Sequence, residues 1–434
     1  MTTVVLYTLG VLLFAVGIAA SIGLHELGHL APAKKFGVKV TQYFVGFGRT
    51  VWSVRRGETE YGFKAIPLGG YVKLVGMFPP HEGDDPTMVR KSNTGLFTQV
   101  VSDARVAEYE LVEEDDRDRL FYKLSWWKKL VVMAGGPTVN LLIAFALFGG
   151  VFMLHGIAVP TRTLAVVTEC VVPASEQGRG CTADDPPTPA VEAGLLPGDQ
   201  IVGFNGVEVE DWDQLQVLIR ANTNGDAAIE YVRDGDRRTA TTNTTVNSVV
   251  DLDDRSAFVE AGFLGVSPTT RLERQGPVFV VQQMGTYTWE TVKALGQLPV
   301  RLYDVGKTVL GLQERDPESP MSVVGAGRVA GEISSNQEAP GMSRLISLLM
   351  LLAGVNLFLG MFNFVPLLPL DGGHIAGALY EGVRRGWARV RGRPDPGYVD
   401  VAKLLPVAYA MALVLVVMSV MLIYADIVAP VRLG

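Results

Sequence analysis

Ser21-Ile22-Gly23-Leu24-His25-Glu26-Leu27-Gly28-His29 closes an apolar run that begins near Val4 and is long enough to cross a bilayer. Residues four apart on a helix share a face, so His25 and His29 can both offer an imidazole nitrogen to one metal ion, with Glu26 beside its open position. The stretch reads as a zinc site written into a membrane helix, and the chemistry it permits is metal-assisted hydrolysis. An H-E-x-x-H string also arises by chance. Chance is disfavoured here, because an ionisable group at a membrane-helix end costs on the order of 2.5 to 3.5 kcal/mol and such groups mark function. The chain has only five histidines, and this stretch holds a pair of them.

The length of 434 residues, with 48% hydrophobic and 19% charged, points to a membrane protein carrying soluble modules. Four runs are long enough to span: Val4 to Leu24, Leu130 to Leu154, Leu345 to Leu370 and Leu404 to Ala425. The first is not a cleaved signal peptide, since it lacks a basic n-region and a small-residue cleavage site, and cleavage would remove the histidines. Lys34, Lys35 and Lys39, then Lys128 and Lys129, then Arg384, Arg385, Arg389, Arg391, Arg393 and Lys403 mark cytoplasmic ends. The N-terminus, the region from about Arg162 to Arg344 and the short C-terminus then lie outside. A net charge of -7 offers no basic surface and excludes nucleic acid as a partner. Cys170 and Cys181 fall in the external, oxidising region, where they either close a small loop or remain free thiols; spacing does not decide between these.

The chain divides accordingly. Residues 1–35 form the first span. Residues 36–76 alternate apolar and polar side chains, broken by Gly46-Phe47-Gly48 and Gly69-Gly70-Tyr71, and read as two or more membrane-associated β-hairpins. Beside a protease site, such hairpins offer an edge on which an extended peptide can pair. Residues 77–128 form a polar cytoplasmic insertion, partly disordered, with the acidic run Glu113-Glu114-Asp115-Asp116. The second span, 129–156, is anchored by Trp126-Trp127-Lys128-Lys129. An external module occupies 160–270. The amphipathic region 271–343, helical from Trp289 to Leu312, lies on the membrane surface or packs on a neighbouring domain. The third span at 344–375, a basic loop at 376–403 and the fourth span at 404–426 complete the order.

A catalytic zinc takes three protein ligands and a water, so one ligand remains to be found. His81 lies in a polar loop, His155 at the outer end of the second span, and His374 after the third. Asp371 is the better candidate. It closes Asn363-Phe364-Val365-Pro366-Leu367-Leu368-Pro369-Leu370-Asp371 at the same expected depth as the histidines, where prolines interrupt the helix and backbone can turn toward a cavity.

Within the external module, Val191 to Gly206 contains a Gly198-Asp199 turn entering a short strand and an Asn205-Gly206 turn; a helix follows near Trp212 to Arg220, then strands near Ala227 to Val232 and Thr239 to Val246. This pattern resembles a PDZ domain, which implies a groove that holds a peptide by strand addition. Taken with the His25-Glu26-Leu27-Gly28-His29 string and Asn363-x-x-Pro366-x-x-x-Leu370-Asp371-Gly372, nearly the whole chain resembles the site-2 protease family of intramembrane zinc metalloproteases, in particular the bacterial regulator-of-sigma-factor proteases. The resemblance implies His25, His29 and Asp371 as Zn2+ ligands and Glu26 as catalytic base. Gly136-Pro137-Thr138-Val139-Asn140 matches the family's Gly-Pro-x-x-Asn pattern. It makes Asn140, and with it Asn363, a candidate for binding substrate or oxyanion, although either can equally be a helix-packing amide. Leu368 stands where many relatives carry a second proline, which puts the local loop geometry in question, and there is room for a single PDZ domain.

The fold thus expected is a multi-span α-helical membrane protein with four transmembrane helices, a membrane-associated β-hairpin region and one extracytoplasmic α+β PDZ domain, in a bacterial plasma membrane with its active site near the cytoplasmic face. The implied substrates are single-pass membrane proteins such as anti-sigma factors, trimmed beforehand by an upstream site-1 protease. A competing class is a catalytically silent, membrane-anchored PDZ scaffold with a structural metal. A metal transporter would need more polar residues at mid-span than these runs contain.

Overall fold

The computed structural model describes residues 2–80, 112, 116–172, 180–182, 184–223, 225–251, 258–316 and 319–431. His81, Glu113 to Asp115 and most of the expected insertion lie outside them. The chain forms two compact units, one made of Met1–Val151 with Gly276–Gly434, the other of Phe152–Gln275.

The first unit opens with α1 (Thr2–Lys35), which runs unbroken through both histidines and ends on Lys34 and Lys35, cations suited to the carbonyl end of a helix. Strands β1 (Val40–Arg56) and β2 (Thr59–Leu74) follow as one long antiparallel hairpin. Both strands bend. Residues Gln42 to Val45 pair on one side with Glu60 to Phe63 and on the other with Gly70 to Lys73, so where two or more hairpins were expected the chain forms a single hairpin folded back on itself. The Gly70 to Leu74 segment pairs on one side with the start of β1. Next comes α2 (Trp126–Gly150).

The second unit is a sheet with strand order β10-β3-β4-β6-β7: β3 (Ile157–Val167), β4 (Gln200–Phe204), β6 (Asp226–Arg233), β7 (Asp236–Asn243) and β10 (Val266–Glu273). A short β5 (Val207–Glu208) pairs with β4 across Asn205-Gly206, both at positive φ as the two-residue hairpin turn requires. Helix α3 (Trp212–Ala221) is capped by Asp211, whose carboxylate accepts the Gln214 N–H at 2.8 Å, and its Trp212, Leu215 and Ile219 enter a core with Ile201, Phe204 and Ile229. Strands β8 (Thr245–Val250) and β9 (Phe258–Phe263) form a separate hairpin, so the strand expected from Thr239 to Val246 is divided between β7 and β8. Cys170 and Cys181 form a disulfide.

The chain returns to the first unit in α4 (Pro277–Val309), α5 (Val323–Ser335), α6 (Gly341–Asn363), α7 (Asp371–Val390) and α8 (Leu405–Val428). Among the described residues, four helical segments are long and apolar enough to cross a membrane: Thr2–Lys35, Trp126–His155, Gly341–Asn363 and Val401–Val428. Leu9, Leu13 and Val16 on α1 and Leu413, Val416 and Val420 on α8 face outward and exposed, an apolar exterior suited to lipid. Two expectations are corrected. The third span is not one helix over 344–375: α6 stops at Asn363, Pro366 and Pro369 carry the chain through an irregular turn, and a new helix starts at Asp371. The basic loop expected at 376–403 is shorter than that: α7 continues to Val390 on the strength of an apolar face that buries Ile375, Ala378 and Ala388, and the irregular stretch covers 391–400.

Candidate metal centre and active site

The site forms where α1 meets α2 and the start of α7. Gly28 on α1 and Gly135 on α2 touch backbone to backbone; a Cβ on Gly28 would stand 2.5 Å from the Gly135 carbonyl oxygen and 2.9 Å from the Gly136 nitrogen. No larger residue permits that approach. Gly136 then forms the wall behind the histidines, since a Cβ there would lie 2.7 Å from His29 Cε1 and 2.8 Å from His25 Nε2.

On this scaffold the His25 and His29 rings meet edge to face with centroids 4.9 Å apart and their Nε2 atoms at 3.2 Å. Asp371, the first residue of α7, places Oδ2 3.4 Å from each Nε2. His29 Nδ1 lies 2.8 Å from the Val132 carbonyl of α2. A carbonyl only accepts, so Nδ1 carries the proton and the lone pair of Nε2 is left facing the cluster. Two imidazole nitrogens and a carboxylate oxygen, all within 4.8 Å of one another, thus converge on one point. Without a cation those lone pairs would repel in a largely buried site, and a divalent ion satisfies all three. This donor set fits zinc: two nitrogens and one oxygen, leaving a fourth position open.

Glu26 is 9% exposed and lies in the same cavity of about 620 Å³, against Gly70 of β2, where a Cβ would stand 2.9 Å from its Cγ. Asn140 and Asn363 also line this cavity. They differ in how they are held. Asn363 donates to the Leu359 carbonyl of its own helix at 3.1 Å, whereas Asn140 is 2% exposed with Oδ1 unbonded. Residues Gly69 to Leu74 form one wall of the cavity, and Val323 of α5 and Val355 of α6 form another.

The other histidines are accounted for. His374 lines the cavity but does not join the ligand cluster, His155 belongs to the second unit, and His81 is outside the described residues. Three features went unread in the sequence: the glycine wall, the Val132 carbonyl that fixes the His29 tautomer, and a buried ion pair between Lys129 Nζ of α2 and Glu381 Oε2 of α7 at 2.7 Å. The run Ala134-Gly135-Gly136 carried the signal for the first, as small residues in an apolar helix mark close helix crossings.

The chain is similar to known proteins over nearly its whole length. The model for peptidase family M50 matches residues 13–405. The zinc metalloprotease Rip1 of Mycobacterium tuberculosis is 34% identical over 451 residues, covering 99% of both chains, and Rip1 of Mycolicibacterium smegmatis is 33% identical over 98% of both. The metalloprotease MmpA of Caulobacter vibrioides is 27% identical over 86% of both. The chain belongs to peptidase family M50, the site-2 protease family, and is a zinc metalloprotease.

Proposed function

We propose that this metalloprotease cleaves single-pass transmembrane proteins, anti-sigma factors among them, within the membrane. His25, His29 and Asp371 would hold the zinc ion and Glu26 would act as general base. The observation that carries the reading is the placement of this donor set and Glu26 in one cavity among helices long enough to span a bilayer, with the Gly70 to Leu74 strand along its wall.

When bound, zinc polarises the scissile carbonyl and lowers the pKa of a coordinated water toward about 7. Glu26 accepts the proton of the attacking water and returns it to the leaving amine. A substrate helix shields every peptide group by its own hydrogen bonds, so it must unwind before hydrolysis. The Gly70 to Leu74 segment can stabilise the unwound form by strand addition, and Asn140, with its unbonded amide oxygen, can receive a substrate N–H.

Lysine and arginine placement supports a site near the cytoplasmic face, with the second unit and both termini outside. We read the second unit as a PDZ domain that captures the end of a substrate already trimmed by an upstream protease. Its Asn205-Gly206 hairpin, α3 and antiparallel sheet support this reading.

The test is co-expression of wild type and Glu26→Gln with tagged single-span membrane proteins. Wild type should release a cytoplasmic fragment that the variant does not, while both retain zinc. Equal fragment yields from the two would overturn the reading, and absence of a fragment from either across the whole substrate set would favour a scaffold.

A further inference from the structure

Helix α7 carries a second surface that the zinc chemistry does not use. Leu379, Tyr380, Val383, Trp387 and Val390 are 45%, 60%, 71%, 58% and 82% exposed. At helical spacing they share one arc about 100° wide, while Ile375, Ala378, Glu381 and Ala388 are buried on the other side. The same half of the helix and the turn after it carry Arg384, Arg385, Arg389, Arg391 and Arg393 against two carboxylates, Glu381 and Asp395. Arg384 is engaged with the Pro396 and Gly397 carbonyls, and Arg385 lies between Glu381 and Asp395. Among the described residues no carboxylate pairs with Arg389, Arg391 or Arg393, all exposed; the Arg391 guanidinium lies 4.3 Å from the centroid of the Trp387 ring.

The height of this surface follows from its neighbours on α2. Ile375 packs in the core with Met133, Glu381 bonds Lys129, and a Cβ on Gly382 would meet Trp126 at 2.7 Å. The middle of α7 is therefore level with Trp126, Trp127 and Lys128, a tryptophan and lysine cluster of the kind that marks the headgroup level. Trp387 lies five residues further on, roughly 7 Å along the helix. A headgroup layer is about 5–7 Å deep. The apolar stripe thus crosses that layer, and the three unpaired arginines stand at its outer edge.

We propose that this half of α7 crosses the headgroup layer and binds anionic lipid headgroups, with Tyr380 and Val383 at the acyl and glycerol boundary, Trp387 among the headgroups, and Arg389, Arg391 and Arg393 on lipid phosphates at the outer edge. The charge is complementary to an anionic leaflet and continues the Trp126 to Lys128 belt. Because α7 begins with Asp371, the lipid surface grips the same rigid element that carries a metal-binding carboxylate. The inference rests on the membrane placement proposed above.

Position, not cleavage, is the readout. The native cysteines are joined in a disulfide, so a dye can be attached at Val383→Cys, 71% exposed and level with Trp126, and in a second sample at Val416→Cys on α8 as a marker of span insertion. Full-length zinc-loaded protein is placed in bilayers of phosphatidylcholine, with or without phosphatidylglycerol, using lipids brominated on the upper acyl chain as quencher. Quenching at Val383→Cys that strengthens with phosphatidylglycerol, and depends on it less in the Arg389→Gln, Arg391→Gln, Arg393→Gln triple variant, is the expected result. The triple variant should need at least tenfold more anionic lipid to reach half-maximal quenching.

Quenching at Val416→Cys but not at Val383→Cys overturns this proposal alone, and no quenching at either overturns the membrane placement itself. Quenching indifferent to phosphatidylglycerol overturns headgroup binding. An equal change on adding inorganic phosphate would make the arginines a free-phosphate site and overturn the lipid assignment.

Discussion

Replacing Gly136 by alanine adds one methyl group to α2 on the side facing the histidines. On the present backbone that carbon would stand 2.7 Å from His29 Cε1 and 2.8 Å from His25 Nε2. Such contacts settle near 3.5 Å or beyond, and His29 Nε2 would be closer still, so a ring or the helix must yield by more than about 0.8 Å. Helix α2 is poorly placed to retreat, because Val132 and Met133 are buried in the core and Lys129 is tied to Glu381. The rings must therefore move, by several times the ~0.2 Å latitude of a metal–ligand distance. Disturbing an outer partner of a ligand typically costs 10–100-fold in metal affinity, and displacing two ligands should cost at least about 100-fold. The assay is zinc titration of the purified full-length protein against a competing chelator, with thermal melting alongside. Gly150→Ala is the control, as its added carbon meets nothing within 4 Å; it should bind zinc and melt as wild type does. A folded Gly136→Ala protein that holds zinc within about threefold of wild type would refute the claim that these ring positions form the metal site.

Asn140→Ala should retain full zinc content yet lose about 3- to 10-fold in kcat/KM, the scale of one hydrogen bond to the substrate; an unchanged kcat/KM would make Asn140 a packing amide. Glu381→Ala strips Lys129 of its buried partner and should lower stability by about 3–5 kcal/mol, read as a fall in melting temperature in detergent, with a weaker zinc site because α7 loses its tie to α2. Burial alone would raise the Asp199 carboxyl, but two bonds from Arg233, each 2.7 Å, and the Leu196 N–H at 2.8 Å hold it below its ordinary 3.8. The unfolded chain takes up that proton first, so the stabilisation is whole above the ordinary value and is lost as pH falls through the lower folded one. Asp199→Asn should flatten this acid dependence, measured by hydrogen exchange of residues 195–204 in the intact protein.

The sequence by itself determined the chemistry and the span content. An imidazole pair at i, i+4 is a local property of one helix, and long apolar runs need no partner to be recognised, so the histidines, Glu26 and the four spans were legible in a single dimension. Asn205-Gly206 was legible for the same reason, since a two-residue turn is fixed by its own φ angles. Tertiary structure decided what depends on residues far apart in the chain. Pro366 and Pro369 marked the interruption before Asp371 in the sequence, but that α6 ends at Asn363 and a new helix starts at Asp371, bringing its carboxylate to His25 and His29, was decided by the fold. The glycine crossing at Gly28 and Gly135, the Val132 carbonyl on His29 and the Lys129–Glu381 pair each join segments that share no sequence signal, and packing alone brings them within bonding distance.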